Sequence, residues 1–253
     1  MLFSDIVVES FAHTGILQGI TENTYVLHRW DRRDCLIIDP GIGPQCLINY
    51  IKRENLNPVA ILVTHGHYDH IGGIPDVRKE WPDVKVLIGE LDSHKLNDPK
   101  SNLSRSFGYP IAVPQADIVV VDKQMLNIAG IGAQAIWVPG HSRGHMIYLV
   151  PSEDRILAFV GDVIFAGSIG ATEFGDGDFN QLVQGIELSI LPLPEQTVIL
   201  PGHGKLTTVL NEKQTNPWLR FSFINRGVEK GEYVGRRRKH RQKSALQPTG
   251  SGD

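Results

Sequence analysis

Cysteine is scarce in this chain: Cys35 and Cys46 are its only thiols. They lie outside the paired spacing of a Cys-based zinc site, and two thiols make no disulfide framework. A bound metal would therefore be held by imidazole and carboxylate. Cys35 stands in the apolar run Cys35-Leu36-Ile37-Ile38, where a reduced, buried thiol is expected. Long hydrophobic runs are also missing. No stretch has the length and apolarity to cross a bilayer, and Met1-Leu2-Phe3-Ser4-Asp5 opens no secretory leader, so a cytoplasmic protein without membrane attachment is expected.

Charge of one sign is not in large excess either, the formal net charge being −3. That figure hides an asymmetry. Residues 226–253 carry eight Lys/Arg against three Asp/Glu, a net of +5, which leaves 17 cationic and 25 anionic side chains before them, a net of −8. So acidic a body is no generic polyanion binder. The basic run Arg236-Arg237-Arg238-Lys239-His240-Arg241-Gln242-Lys243 reads as part of a solvated, flexible terminus rather than a nucleic-acid contact. With 41% hydrophobic and 21% charged residues in 253, the rest has the composition of a globular core. One domain is expected over residues 1–226, followed by a basic tail over 227–253.

The apolar pattern predicts strands at Ile6–Val8, Asn23–Leu27, Cys35–Ile38, Val59–Val63, Val84–Ile88, Ile118–Val121, Ala135–Val138, Met146–Val150, Ile156–Val160 and Val198–Leu200. Helices are predicted over Gln45–Glu54, with Pro44 suited to its first turn, and within 74–81, 90–97 and 178–191. Asp178 and Gln181 form a capping-box pattern at the start of the last. Val59–Val63 is continuously apolar, as in a strand covered on both faces. Strands interleaved with helices, more antiparallel than parallel, point to an α+β arrangement of sheets between helix layers.

Four of these strands end in groups that bind metals. Val63 is followed by Thr64-His65-Gly66-His67-Tyr68-Asp69-His70, which places three imidazoles and a carboxylate within six residues. Val138 leads to Pro139-Gly140-His141, Val160 to Gly161-Asp162, and Leu200 to Pro201-Gly202-His203-Gly204. The design repeats: an apolar strand, a glycine that lets the backbone bend, then a side chain able to ligate a metal. His65 and His67 could turn toward one ion while Asp69 and His70 turn toward another. Neutral imidazole and carboxylate suit zinc, iron or manganese.

His65-x-His67-x-Asp69-His70 with His141, Asp162 and His203 resembles the metallo-β-lactamase superfamily, and the resemblance covers about residues 5–220. Phe165-Ala166-Gly167-Ser168-Ile169-Gly170 and Pro201-Gly202-His203-Gly204 followed by Thr215-Asn216-Pro217 resemble its compact glyoxalase II type, the hydroxyacylglutathione hydrolases without a large C-terminal helical domain. The resemblance implies a four-layered αββα sandwich with its site at one edge of the two sheets. It implies two divalent ions, zinc first: His65, His67 and His141 on one, Asp69, His70 and His203 on the other, Asp162 bridging. It further implies a glutathione-type thioester substrate, such as S-lactoylglutathione, attacked by a metal-bridging hydroxide, with Asp69 and Asp162 as the catalytic carboxylates. Asp39 would support a ligand imidazole or serve as a turn or cap residue.

One position departs from the pattern. Ala171 stands where the compact enzymes usually carry Arg, which removes a cation that would meet glutathione; Tyr148, Lys205, Arg143 and Arg220 are other candidate contacts. His13, His28, His94 and His240 read as surface residues, and His145 as a core or supporting residue. The alternatives are a mononuclear-iron persulfide dioxygenase and a phosphodiesterase of the same fold. The intact His70 and His203 disfavour the first, and the acidic body disfavours binding of long nucleic acid by the second.

Overall fold

The structure, a computed structural model, describes residues 1–14 and 21–219, with the backbone alone at Thr14. The basic tail, its boundary after residue 226, Arg220 and His240 lie outside the described residues.

The first sheet holds seven strands in chain order: β1 (Leu2–Phe3), β2 (Ile6–Thr14), β3 (Thr21–Arg29), β4 (Asp34–Ile38), β5 (Asn57–Val63), β6 (Lys85–Gly89) and β7 (Ile118–Val120). Pairing is antiparallel up to β4 and parallel from there on. The second sheet takes β8 (Met125–Ile128), β9 (Ile131–Trp137), β10 (Met146–Pro151), β11 (Ile156–Gly161), β14 (Val198–Pro201) and β15 (Thr207–Thr208) in the order β15-β14-β11-β10-β9-β8. A small hairpin joins β12 (Ile164–Phe165) to β13 (Ser168–Ile169). The helices are α1 (Gln45–Arg53), the single turn α2 (Tyr68–Ile71), α3 (Ile74–Glu80), α4 (Phe179–Ser189) and α5 (Val209–Thr215).

Strand alternation explains the layers. In β5, Ala60 and Leu62 face the second sheet and join a core with Tyr25, Leu36, Ala135, Tyr148 and Phe159. Ile61 and Val63 point the other way, against Leu47 and Ile51 of α1 and Ile74 and Val77 of α3. On the far side, Ala158, Val160 and Ile199 meet Leu182 and Ile186 of α4 and Val209 of α5. The result is the expected αββα sandwich. Leu62 is fully buried between the sheets, so Leu62→Ala should cost roughly 2–5 kcal/mol of unfolding free energy in a denaturant titration, through lost burial and the cavity left behind.

Several details differ from the expectations. Residues 90–97 form a 3-10 segment rather than an α-helix. Pro44 sits one position ahead of the first turn of α1. The capping box at α4 is half formed: Asp178 accepts from the Gln181 amide at 3.0 Å, but its own N–H goes to Gly140 O at 2.7 Å. That bond ties the start of α4 to the loop carrying His141. His13 is buried rather than on the surface. Among the described residues, no helix is long and apolar enough to cross a membrane.

Candidate metal centre

β4, β5, β9, β11 and β14 all end at one edge of the sandwich, and there Asp39, His65, His141, Asp162 and His203 follow. Two close approaches need glycine. Gly161 has φ +46°, and a Cβ on it would overlap Thr64 and crowd His145; a Cβ on Gly202 would overlap the Asp162 carboxylate. The bends written as Gly-Asp and Gly-His are thus steric requirements of the site.

The structure brings all seven predicted residues together in three overlapping sets: His65, His67 and His141; His65, His70 and Asp162; Asp69, His70 and His203. The donor atoms of each lie within 4.8 Å of one another. In the first set, His65 Nε2 is 3.0 Å from His67 Nδ1, and His141 Nε2 is 3.2 and 2.9 Å from these two nitrogens.

Hydrogen bonds on the far side of the rings fix what these nitrogens carry. Thr64 Oγ1 gives its single proton to Asp39 Oδ2 at 2.6 Å, so it accepts from His65 Nδ1 at 3.1 Å. His141 Nδ1 donates to Ala171 O at 2.7 Å. His65 Nε2 and His141 Nε2 are therefore lone pairs that face each other, an arrangement that a cation between them stabilises. Tetrahedral zinc, bound at about 2.05 Å, spaces its nitrogens roughly 3.3 Å apart, close to what is seen. His67 Nε2 is buried without a partner.

Asp69, His70 and His203 form the second set about Asp162. His70 Nδ1 donates to Asp39 Oδ2 at 2.9 Å and His203 Nδ1 to Thr21 O at 2.7 Å, so both rings turn Nε2 inward toward the carboxylates. His203 Nε2 faces Asp69 Oδ2 at 3.4 Å and Asp162 Oδ2 at 3.3 Å. Asp162 Oδ2 also lies 3.5 Å from His141 Nε2, and Oδ1 lies 3.4 Å from His70 Nε2. One carboxylate thus stands between the two sets. His70 Nε2 and Asp162 Oδ1 are buried with no hydrogen-bond partner, which a shared cation would satisfy. The donors present fit two divalent ions.

The electrostatics of the two sets differ. Burial, then the neighbouring imidazoles, holds His65 well below the ordinary histidine range, and burial likewise lowers His67 and His141. Burial also pulls on His203, yet the Asp162 charge and the hydrogen bonds that Asp162 and Asp69 accept outweigh it and hold this imidazole up to about 11. His70 is raised well above its usual value for the same reason, against burial, by Asp162, Asp69 and Asp39.

Asp39 supports His70 directly and His65 through Thr64, from a φ of +48° that turns its carboxylate back toward Thr64 N at 2.7 Å. His145 accepts from Asp162 N at 3.1 Å and is lowered to about 3 by burial; it is a neutral support for the Asp162 backbone. Tyr148 is no substrate contact, because it is fully buried and donates to Val63 O at 2.9 Å. Arg143 and Lys205 are exposed, as is Ala171, whose carbonyl holds His141.

Sequence reasoning passed over three groups. Asn23 holds the His203 loop, donating to Pro201 O at 3.1 Å and Gly204 O at 2.8 Å. Glu22 is a buried carboxyl near Asp39 and His70, pushed well above the usual range by burial first. Asp92 and Lys95 form a buried ion pair behind the first set. Glu22 and Asn23 lie in the polar run Thr21-Glu22-Asn23-Thr24 that opens β3, which reads as an exposed strand end. Asn23→Ala should free the His203 loop and weaken binding of the second ion roughly tenfold or more in a chelator-competition titration, leaving the first ion's affinity unchanged.

The sequence profile of the metallo-beta-lactamase superfamily matches residues 18–203. A probable metallo-hydrolase of Bacillus subtilis, YqgX, is 38% identical over 201 residues, 79% of this chain and 93% of that one. The hydroxyacylglutathione hydrolase GloC of Haemophilus influenzae is 32% identical over 195 residues, 75% and 89% of the two chains. Among solved structures, BLEG-1 B3 metallo-beta-lactamase is similar at a TM-score of 0.77 and 38% identity, covering 84% of this chain and 99% of that one. TTHA1623 in a di-iron-bound form is similar at 0.70 and 32%, covering 83% and 100%. The convergent imidazoles, the carboxylate between them and these likenesses lead to one conclusion: the chain belongs to the metallo-beta-lactamase superfamily and is a metal-dependent hydrolase of it.

Proposed function

We propose that this hydrolase holds two divalent ions and cleaves a small-molecule thioester of the glutathione type, such as S-lactoylglutathione. The observation that carries the reading is the Asp162 carboxylate, set 3.5 Å from His141 Nε2 and 3.3 Å from His203 Nε2, between two sets of inward imidazole nitrogens. His65, His67 and His141 would hold the first ion, Asp69, His70 and His203 the second, and Asp162 both. Zinc suits this donor set, and the di-iron form of TTHA1623 makes iron the main rival. Bound ions supply Lewis-acid polarisation of the carbonyl and lower the pKa of water from about 15.7 to near 7.

The chain's own residues do the rest. Asp69, with Oδ2 3.4 Å from His203 Nε2, orients the attacking water and accepts its hydrogen bond. Asp39, Ala171 O and Thr21 O keep the ligand imidazoles in one tautomer. The half-buried Phe165, edge-on to His203 with ring centroids 5.9 Å apart, gives the mouth of the site an apolar wall for an acyl group. The likeness to GloC supports a glutathione thioester, and the two free thiols, Cys35 buried and Cys46 exposed, agree with a reducing, cytoplasmic setting.

The test is steady-state hydrolysis of S-lactoylglutathione beside a β-lactam, a generic phosphodiester and glutathione persulfide with oxygen uptake. Preferred cleavage of the thioester supports the reading. The likeness to BLEG-1 favours β-lactam hydrolysis as the second reading, and preferred turnover of the β-lactam would replace the first. At the exposed position 171, Ala171→Arg should restore a cation and lower KM for the glutathione thioester severalfold, with kcat nearly unchanged because the carbonyl that holds His141 is retained.

A further inference from the structure

Lysine is almost never fully buried unless it is paired, and the Lys95 side chain is 1% exposed. Its ammonium has three protons and three partners: Asp92 Oδ1 at 3.1 Å, Ser142 Oγ at 2.9 Å and Asp176 Oδ1 at 2.8 Å. The buried Asp92 carboxylate in turn accepts from Gly66 N at 2.9 Å, Gly144 N at 2.8 Å and the Ser142 hydroxyl. Gly66 lies between His65 and His67; Ser142 follows His141, and Gly144 precedes His145. One carboxylate therefore grips both loops that carry the first triad, through the backbone N–H groups of Gly66 and Gly144 and through the Ser142 hydroxyl beside His141. Asp176 belongs to the same loop as Ala171, whose carbonyl holds His141. Asp69, His70 and His203 have other supports, Asp39 and Thr21 O among them.

Stability does not account for such a pair, because exchanging a buried ion pair for packed apolar residues is often neutral or stabilising. What the pair supplies is distance: it fixes the spacing of the 65–67 and 141–144 loops, and with it the 2.9 Å approach of His67 Nδ1 to His141 Nε2. We propose that Lys95, through Asp92 and Ser142, is the positioning residue of the first metal triad and sets that site's affinity without touching the ion.

This inference rests on the two-ion reading, and the experiment separates the two. The metal-free wild-type chain is titrated with Co(II), following the visible d–d absorption, with His141→Ala marking which band belongs to the first triad. Two equivalents bound by wild type uphold the two-ion reading; fewer overturn it and this inference with it. In Lys95→Met the first-triad band should shift and its affinity fall about 10–100-fold, with the second site's dissociation constant unchanged. Wild-type binding at both sites, or equal weakening of both, would overturn the assignment. Should Lys95→Met fail to fold, Ser142→Ala removes only the hydroxyl between Lys95 and Asp92, and is read by the same titration against the same two outcomes.

Discussion

Asp162→Ala is expected to lower kcat/KM for the thioester by about a thousandfold or more while leaving the αββα sandwich folded. Among the described residues, Asp162 is the one group whose two oxygens approach imidazoles of both sets, His141 and His203 through Oδ2 and His70 through Oδ1. Several kcal/mol of transition-state stabilisation come from metal-centred charge, and each ~1.4 kcal/mol is a factor of ten in rate. A methyl group in its place removes the shared ligand, takes from His203 its nearest counter-charge and leaves Asp39 as the nearest one to His70. Elemental analysis beside the kinetics should find the second ion depleted. Full activity in this variant would refute a mechanism that depends on both ions.

The second large effect is on pH. In the metal-free protein, His203 is held up to about 11 and His70 well above its ordinary value, both by Asp162 and its neighbours working against burial. His65, His67 and His141 are all lowered. At neutral pH the first triad is therefore neutral and ready to ligate, whereas His70 and His203 each carry a proton that an ion must displace. The first ion should bind with little proton release. The second should release nearly two protons, and its affinity should fall by up to ~100-fold per unit as pH drops.

Calorimetry in buffers of different ionisation heat measures this directly, and equal proton release at both sites would contradict it. The sign for the metal-free fold runs the other way. Raised imidazoles stabilise it fully below the unfolded histidine value of about 6.5, and that contribution is lost as pH rises toward the folded value of about 11 at His203.

The strands were legible because β11, β14 and β5 from Val59 on are apolar throughout and each ends in glycine and a ligand type, or, for β5, in the histidine cluster itself. Side-chain parity could have corrected one reading: Met146, Tyr148 and Val150 alternate along β10, and all three join the core between the sheets, so Tyr148 cannot reach a substrate. Asp92 and Lys95 were illegible for a physical reason. A charged pair three residues apart reads as a solvated helix face; only the 139–145 and 171–178 loops, distant in sequence, bury it. His13 follows the same rule, since its burial depends on which chain segment packs over β2. Short strands such as Thr207–Thr208 and Ile164–Phe165 exist through pairing alone, and two residues hold no periodicity to read.

In the proposed mechanism two ions act together at this edge of the sandwich. Its most direct test is thioester hydrolysis measured as metal is returned to the metal-free chain in known equivalents, with bound metal counted in the same samples. Activity is expected to be low at one ion per chain and to rise to full rate as the second site fills. Full activity at one ion per chain, unchanged by the second, would contradict it.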